Sequence, residues 1–208
     1  RNPLHTISGA LDMLELDKLS EEQKDKYITT AKKQTERISH LFKDLKVLQR
    51  YDSDEYFVDR QEFDIAHIAQ NMKDWYSEKA KEKGLELNID QQSCKAIGDP
   101  GKIEQVMDNL ISNALKYTNE GSVDVTYKTE GSGVRVAIED TGIGISDEHL
   151  DRLFDRFYRT DKARSRDKGG TGLGLAVVKS IIKGHGSDIH VESKVGKGTR
   201  FWFTLPKG

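Results

Sequence analysis

The sequence predicts an α-helical hairpin followed by a mixed α/β domain, with the boundary near residue 57. Up to about residue 50 the apolar residues recur at helical spacing, and little reads as strand. Beyond it, helical periodicity alternates with short period-two runs set off by glycine turns, the pattern of helices packed on a sheet. A length of 208 residues allows one large domain or two smaller ones. The 33 Lys and Arg stand against 35 Asp and Glu, so no basic excess points to nucleic acid. A lone cysteine, Cys94, leaves no intrachain disulfide and no multi-cysteine zinc site. No apolar run approaches the roughly 18 residues of a membrane span, and no signal peptide opens the chain. A soluble, intracellular-type segment is therefore expected. The start at Arg1-Asn2-Pro3-Leu4 instead of Met predicts a chain that was processed, cut or truncated.

In the first unit, Leu4, Ile7, Leu11 and Leu14 form the seam of a helix that packs on other helices. After the polar break Asp17-Lys18-Leu19-Ser20, Ser20 and Gln23 make a capping box for a second helix over residues 21–49. Ile28, Ala31, Thr35, Ile38, Phe42 and Leu45 line one face of it, and Leu41 and Leu48 widen that face. Such a hairpin cannot cover its own stripe, which predicts a homodimer closed as a four-helix bundle. The second helix would be about 45 Å long at about 1.5 Å per residue and the first about half that. The first helix is thus expected to continue upstream of Arg1.

Residues 51–60 read as a charged linker. Phe63 and Ile65 open the second unit, and Ile68, Ala69, Met72, Trp75, Tyr76 and Ala80 mark an amphipathic helix that stops before Gly84. Residues 85–89 alternate as a strand, and residues 103–117 form a helix apolar at Ile103, Val106, Leu110, Ala114 and Leu115. Strands at 123–127 and 134–138 flank the turn Gly131-Ser132-Gly133. A helix over 173–183 precedes strands at 189–192 and 201–205, joined through Gly196-Lys197-Gly198. Mostly antiparallel strand pairs are expected.

Four clusters in the second unit carry chemistry. In the run from Asp108 to Tyr117, Asn109, Asn113 and Lys116 fall at i, i+4 and i+7 and share one helix face. They read either as a solvated polar face or as amide oxygens for a hard cation beside a phosphate-facing lysine, which suits Mg²⁺-nucleotide. Asp140-Thr141-Gly142-Ile143-Gly144-Ile145 directly follows a strand. Its glycines make a turn, and a carboxylate beside close-approach glycines also suits an adenine amino group. Gly169-Gly170-Thr171-Gly172-Leu173-Gly174-Leu175 runs into a helix, where backbone N–H groups can meet an anion. No Gly-Lys-Ser/Thr closes it and no βαβ frame surrounds it, so it is neither a P-loop nor a dinucleotide fingerprint. Gly196-Lys197-Gly198-Thr199 alone reads as a hairpin turn. Phe154-Asp155-Arg156-Phe157-Tyr158-Arg159 leads into a charged stretch at 161–168, either a solvated connector or a lid whose arginines close over phosphates.

In this order and at these spacings, the boxes resemble the GHKL-type (Bergerat) ATP-binding domain of bacterial sensor histidine kinases. The amino-terminal hairpin resembles the dimerisation and phosphoacceptor domain of the same family. The resemblance covers essentially the whole chain, with a phosphoacceptor hairpin and linker at 1–57 and a catalytic ATP-binding domain at 58–208. It implies an α/β sandwich, ATP and Mg²⁺ as cofactors, and transfer of the γ-phosphoryl group to a histidine. It also implies relay to an aspartate of a response regulator, and a cytoplasmic position in a parent anchored in the bacterial cell membrane. By the same resemblance Asn113 coordinates Mg²⁺ with Asn109 assisting, Lys116 meets the phosphates, and Tyr117 sits near the nucleotide. Asp140 accepts from the adenine amino group, and Gly142, Gly144 and Ile145 shape the adenine pocket. Tyr158 and Arg159 border the nucleotide, and Arg164 or Arg166 serves as a lid cation. Gly170, Thr171, Gly172, Leu173, Gly174 and Leu175 bring backbone N–H groups to the phosphates, and Thr199 completes the set.

Arg1-Asn2-Pro3-Leu4 matches the tail of the family's acceptor box, His-Glu/Asp-x-Arg-Thr/Asn-Pro-Leu. The acceptor histidine is therefore expected just upstream of Arg1, and this chain alone is not expected to autophosphorylate. His5 follows the Pro-Leu pair and lacks the neighbouring acid, which argues against it as the acceptor. Asn2 takes the position where the family places Thr or Asn to orient water for dephosphorylating a regulator. ATP-hydrolysing members of the wider superfamily carry a water-activating Glu four residues before the Mg²⁺-binding Asn. Here that position is Asn109, which cannot act as a base, so phosphotransfer is favoured. The alternatives are a nucleotide-gated ATPase and a degenerate kinase that uses nucleotide as a conformational ligand of a regulatory module. His40, His67, His149, His185 and His190 share no metal-ligand spacing, which leaves surface or packing roles.

Overall fold

The computed structural model describes residues 3–15, 19–51, 57–160 and 171–208. Contacts divide the chain into two units, Arg1–Val47 and Leu48–Gly208. The first unit holds α1 (Pro3–Leu14) and most of α2 (Glu21–Tyr51). The capping box forms at the start of α2, where the Gln23 N–H donates to Ser20 Oγ at 3.3 Å and the Ser20 N–H to Gln23 Oε1 at 3.0 Å. Ile7 and Leu14 are half-buried and Ala10 is buried, whereas Leu4, Leu11 and Phe42 remain 63%, 51% and 68% exposed. The expected seam is thus split, and much of the apolar surface of the hairpin is uncovered in a single chain. At 31 residues against 12, α2 is also far longer than α1. Of the expected linker, Tyr51 ends α2, and residues 52–56 lie outside the described residues.

In the second unit the order is β1 (Gln61–Asp64), α3 (Ile65–Glu82), β2 (Glu86–Ile89), β3 (Lys95–Gly98) and α4 (Pro100–Tyr117). Then follow β4 (Ser122–Glu130), β5 (Gly133–Asp140), the single turn α5 (Asp147–Leu150), α6 (Gly174–Gly184), β6 (His190–Lys194) and β7 (Gly198–Pro206). The main sheet runs β2-β4-β5-β7-β6, and β1 pairs with β3 in a separate two-stranded sheet. Only β2 with β4 is parallel; every other named pair is antiparallel.

Helices α3 and α4 pack on one face of the sheet, and α6 packs on α4. Strand β7 shows the resulting alternation, with Phe201, Phe203 and Leu205 buried and Trp202 and Thr204 turned to the more open side. In α4, Met107 and Ile111 join the five expected apolar residues, and all seven are buried. Each of these side chains apart from Ala114 contributes on the order of 1.5–3 kcal/mol. Asp99 caps α4 by accepting from the Lys102 N–H at 3.1 Å, with Pro100 in the first turn, so the start of the helix is set three residues before the expected one. His185 is buried, as a packing role requires. Its Nε2 accepts from the Asp99 N–H at 3.0 Å, and its Nδ1 donates to Ile181 O at 2.8 Å.

Candidate functional site

The apolar stripe of α4 fixes the rotation of the helix, and that rotation brings Asn109, Asn113 and Lys116 together at its half-buried margin. Asn109 Nδ2 donates to Gln105 O at 3.0 Å, which orients the carboxamide on its own helix. Its Oδ1 lies against the first residue of α6, so that a Cβ added to Gly174 would stand 2.6 Å from it. The Asn113 carboxamide has no hydrogen bond among the described residues. Lys116 Nζ lies 4.9 Å from the centroid of the Tyr117 ring. Burial holds the Tyr117 phenol above its ordinary pKa against the opposing pull of the Arg159 guanidinium, which puts Arg159 within electrostatic reach of Tyr117.

Asp140 ends β5 at the same side of the sheet. It is 8% exposed, and its Oδ1 accepts from the Gly142 N–H at 2.8 Å. A second N–H, that of Thr199, also donates to it. Burial nonetheless pushes the carboxyl from 3.8 up to about 6, because two N–H donors do not replace the lost water. Gly142 is required here for closeness: a Cβ would stand 2.7 Å from Tyr117 O and 2.8 Å from Asp140 Oδ1. Gly198 is required for both conformation and closeness, with φ +107° and a Cβ position only 1.8 Å from Asp140 O. The Gly196-Lys197-Gly198-Thr199 turn therefore does more than join two strands. It lays its backbone directly against the end of β5.

Phe157 stands in the left-handed region at φ 63°. Its N–H donates to Gly172 O at 2.9 Å, tying the Phe-rich segment to the glycine box. The Leu173 N–H donates to Thr171 Oγ1 at 3.1 Å, Leu173 is buried, and Gly174 and Leu175 begin α6. Tyr158 is turned to α5, where its hydroxyl hydrogen-bonds His149 Nδ1 at 2.8 Å and its ring lies 4.5 Å from the Arg152 guanidinium. The structure thus places Asn109, Asn113 and Lys116 along the C-terminal half of α4, Gly174 against Asn109, and Gly142 between Tyr117 at the end of that helix and Asp140, which faces Thr199. Asn2, Arg164, Arg166 and Gly170 lie outside the described residues.

Sequence reasoning missed Ser193, which joins three parts of the site. Its Oγ accepts from the Ile145 N–H at 2.8 Å, donates to Gly198 O at 2.9 Å and lies 2.8 Å from Thr199 Oγ1. Its only signal in the sequence is an inward place at the end of a strand, in step with Val191.

Residues 98–208 match the family described as "Histidine kinase-, DNA gyrase B-, and HSP90-like ATPase", and residues 1–54 match the "His Kinase A (phospho-acceptor) domain". The chain is 39% identical over 216 residues to the sensor histidine kinase WalK of Bacillus subtilis (strain 168), covering 99% of this chain and 34% of WalK. It therefore spans about a third of the length of that relative. Its fold resembles the Acinetobacter baumannii histidine kinase AdeS, with a TM-score of 0.79, 26% identity and coverage of 100% and 96% of the two chains. Full-length ShkA in complex with AMPPNP gives 0.76 at 28% identity, over 99% of this chain and 43% of that one. ThkA in complex with the response regulator protein TrrA gives 0.73 at 25% identity, over 100% and 58%. The chain belongs to the bacterial sensor histidine kinases and comprises a phosphoacceptor-type helical segment followed by a histidine kinase-, gyrase B- and HSP90-like ATPase domain.

Proposed function

We propose that this chain is the core that binds Mg-ATP and directs its γ-phosphoryl group to a histidine of the phosphoacceptor segment, for relay to an aspartate of a response regulator. The observation that carries the reading is the buried Asp140 carboxylate, held beside Gly142 and Thr199 next to Tyr117, the last residue of the helix whose C-terminal half carries Asn109, Asn113 and Lys116. A buried carboxylate with spare acceptor capacity suits the exocyclic amine of adenine, and the tight fit at Gly142 leaves backbone at the pocket wall. The boundary between the two functional domains is set at 57/58, after the charged linker, ten residues beyond the division that contacts give at 47/48.

The donor set fits a hard divalent cation. Asn113 and Asn109 offer carboxamide oxygens, and Asn109 is already oriented by its bond to Gln105 O. When bound, Mg²⁺ supplies charge neutralisation at the phosphates. Lys116 adds a cation on the same helix face, and Tyr117 and Arg159 flank the nucleotide together with Tyr158. Residues 171–175, which lead into α6, contribute backbone N–H groups at a helix N-terminus, with Gly170, Arg164 and Arg166 acting from the segment before them. Asn109 stands where a hydrolase would need a base, and its amide is bonded to Gln105 O, which favours positioning over water activation.

The exposed Leu4, Leu11 and Phe42 support a homodimer through the hairpin. The ThkA–TrrA complex supports a response-regulator partner, toward which Asn2 has a dephosphorylating role. Among the described residues no helix is long and apolar enough to cross a membrane. Likeness to the sensor histidine kinase WalK, not that absence, supports a place on the cytoplasmic side of a membrane-anchored parent.

The test is a polypeptide extended upstream of Arg1 through the acceptor box and supplied with Mg-ATP labelled at the γ-phosphoryl group. An acid-labile phosphohistidine is expected, and its absence from the extended dimer defeats the kinase reading. In the same assay Asn113→Ala is expected to lose Mg-dependent ATP binding and to keep the hairpin dimer; unchanged affinity removes Asn113 from the metal site.

A further inference from the structure

The Ser193 hydroxyl has one proton and two lone pairs, and its three contacts use all of them. Gly198 O is a carbonyl oxygen that can only accept, so the Ser193 proton goes there, at 2.9 Å. The Ile145 N–H can only donate, so it takes one lone pair, at 2.8 Å. All three contacts are satisfied together only when Thr199 donates to the second lone pair, 2.8 Å away, and the proton is assigned on that ground. The only hydroxyl proton of Thr199 is thereby committed to Ser193, and its oxygen is left able only to accept.

Thr199 faces Asp140 directly across the β5–β7 ladder, and both are buried, at 6% and 8% exposed. Residues opposed in an antiparallel pair hold their Cβ atoms about 4.5–5.5 Å apart, so the hydroxyl and the carboxylate share one patch of the inner face. Ser193 also ties down Ile145, the residue that follows Gly144, so one hydroxyl links both strands of the β6–β7 hairpin to the loop after β5.

We propose that Ser193 is a positioning residue for base selection: by taking the Thr199 proton it makes Asp140 and Thr199 an all-acceptor pair that suits a 6-amino purine and opposes a 6-keto purine. This rests on the reading of Asp140 as the base-recognising carboxylate. An exocyclic amine brings two protons to two acceptors, whereas a keto oxygen brings lone pairs to lone pairs. With Ser193 truncated, the Thr199 hydroxyl is free to rotate and to donate to a keto oxygen, so discrimination falls even where the pocket keeps its shape.

The test compares the affinities of ATP and inosine triphosphate with Mg²⁺ at about pH 8, for the unaltered chain and for Ser193→Ala, Ser193→Thr, Thr199→Val, the Ser193→Ala/Thr199→Val pair and Asp140→Asn. The unaltered chain is expected to prefer ATP, and Ser193→Ala to lower the ATP-to-inosine-triphosphate ratio about tenfold, the scale of one lost or opposed hydrogen bond. Ser193→Thr keeps the hydroxyl and is expected to restore the ratio. Thr199→Val is expected to lower the ratio alone, with nothing further lost in the double variant. Parallel weakening of both nucleotides in Ser193→Ala, or losses that simply add in the double variant, would mean a structural role and overturn the proposal. If Ser193→Ala does not fold, an unchanged ratio in Thr199→Val overturns it instead. Asp140→Asn separates the two levels. ATP affinity unaffected by that change defeats the nucleotide reading, whereas loss of ATP binding there with an unmoved Ser193→Ala ratio defeats only the selection by Ser193.

Discussion

Asp140→Asn changes no volume to speak of, but it removes a carboxyl that the fold holds in the wrong protonation state for its surroundings. Burial moves that carboxyl from 3.8 to about 6. Below about pH 4 both folded and unfolded chains carry the proton, and the group costs nothing. Between 3.8 and about 6 the unfolded chain has released its proton while the folded chain retains it, so stability falls as pH rises and levels off above the folded value. At about 1.4 kcal/mol per decade the loss is about 3 kcal/mol in all, and about half of it falls between about pH 5 and pH 8. Asn is neutral throughout, so the stability of Asp140→Asn relative to the unaltered chain should rise by about 1.4 kcal/mol over that interval. Nucleotide affinity should move the other way, since the ionised carboxylate is the form that accepts from the base amine. ATP affinity of the unaltered chain is expected to fall by up to tenfold per unit as pH drops below about 6, and to be weak and flat in Asp140→Asn. Both Trp residues, Trp75 and Trp202, lie in the second unit, so urea unfolding followed by tryptophan fluorescence reports on the relevant unit. A stability difference that does not change with pH, or ATP affinity that rises on acidification, would refute the reasoning.

His185 carries the opposite sign. Burial holds its pKa below 6.5, so its contribution is complete above that value and is lost as pH falls through it toward the folded value. From about pH 7 to pH 5 the unaltered chain should lose stability relative to His185→Gln in urea unfolding; identical pH slopes would mean that the ring is not held neutral. Gly174→Ala puts a methyl 2.6 Å from Asn109 Oδ1, the end of a side chain that can swing aside. The Mg²⁺ concentration for half-maximal ATP binding is expected to rise several-fold with the melting temperature little changed, and an unmoved Mg²⁺ requirement would separate Asn109 from the ion.

The boxes are legible in the sequence because each combines a residue type with a local backbone demand: amides at i and i+4, glycines where backbones touch, a carboxylate at a strand end. Five of the seven buried residues of α4 follow from periodicity alone, and Met107 and Ile111 widen the same stripe. Pairing is harder to read. Period-two alternation in residues 85–89 identifies a strand but not that its neighbour β4 runs parallel to it. Strand β3, four residues from Lys95 to Gly98, is too short for a pattern, and it exists because it pairs with β1. The hairpin seam is read as one stripe, yet Leu4 and Leu11 are exposed where Ile7 and Leu14 are half-buried.

Ser193 shows the deeper limit. Nothing local distinguishes it from any inward serine, because its role depends on three partners that the fold brings from Ile145, Gly198 and Thr199. Asp140 is the reverse case, conspicuous because it breaks the rule that buried charge is matched by a counter-ion. The two are connected through Thr199, whose backbone N–H supports the Asp140 carboxylate and whose hydroxyl is held by Ser193. Only an ionised Asp140 beside an acceptor-only Thr199 makes a wholly acceptor patch, and that patch is unfavourable until a donor-rich ligand meets it. The stability lost between about pH 4 and pH 6 and the expected preference for an amino purine are then two readings of the same buried surface.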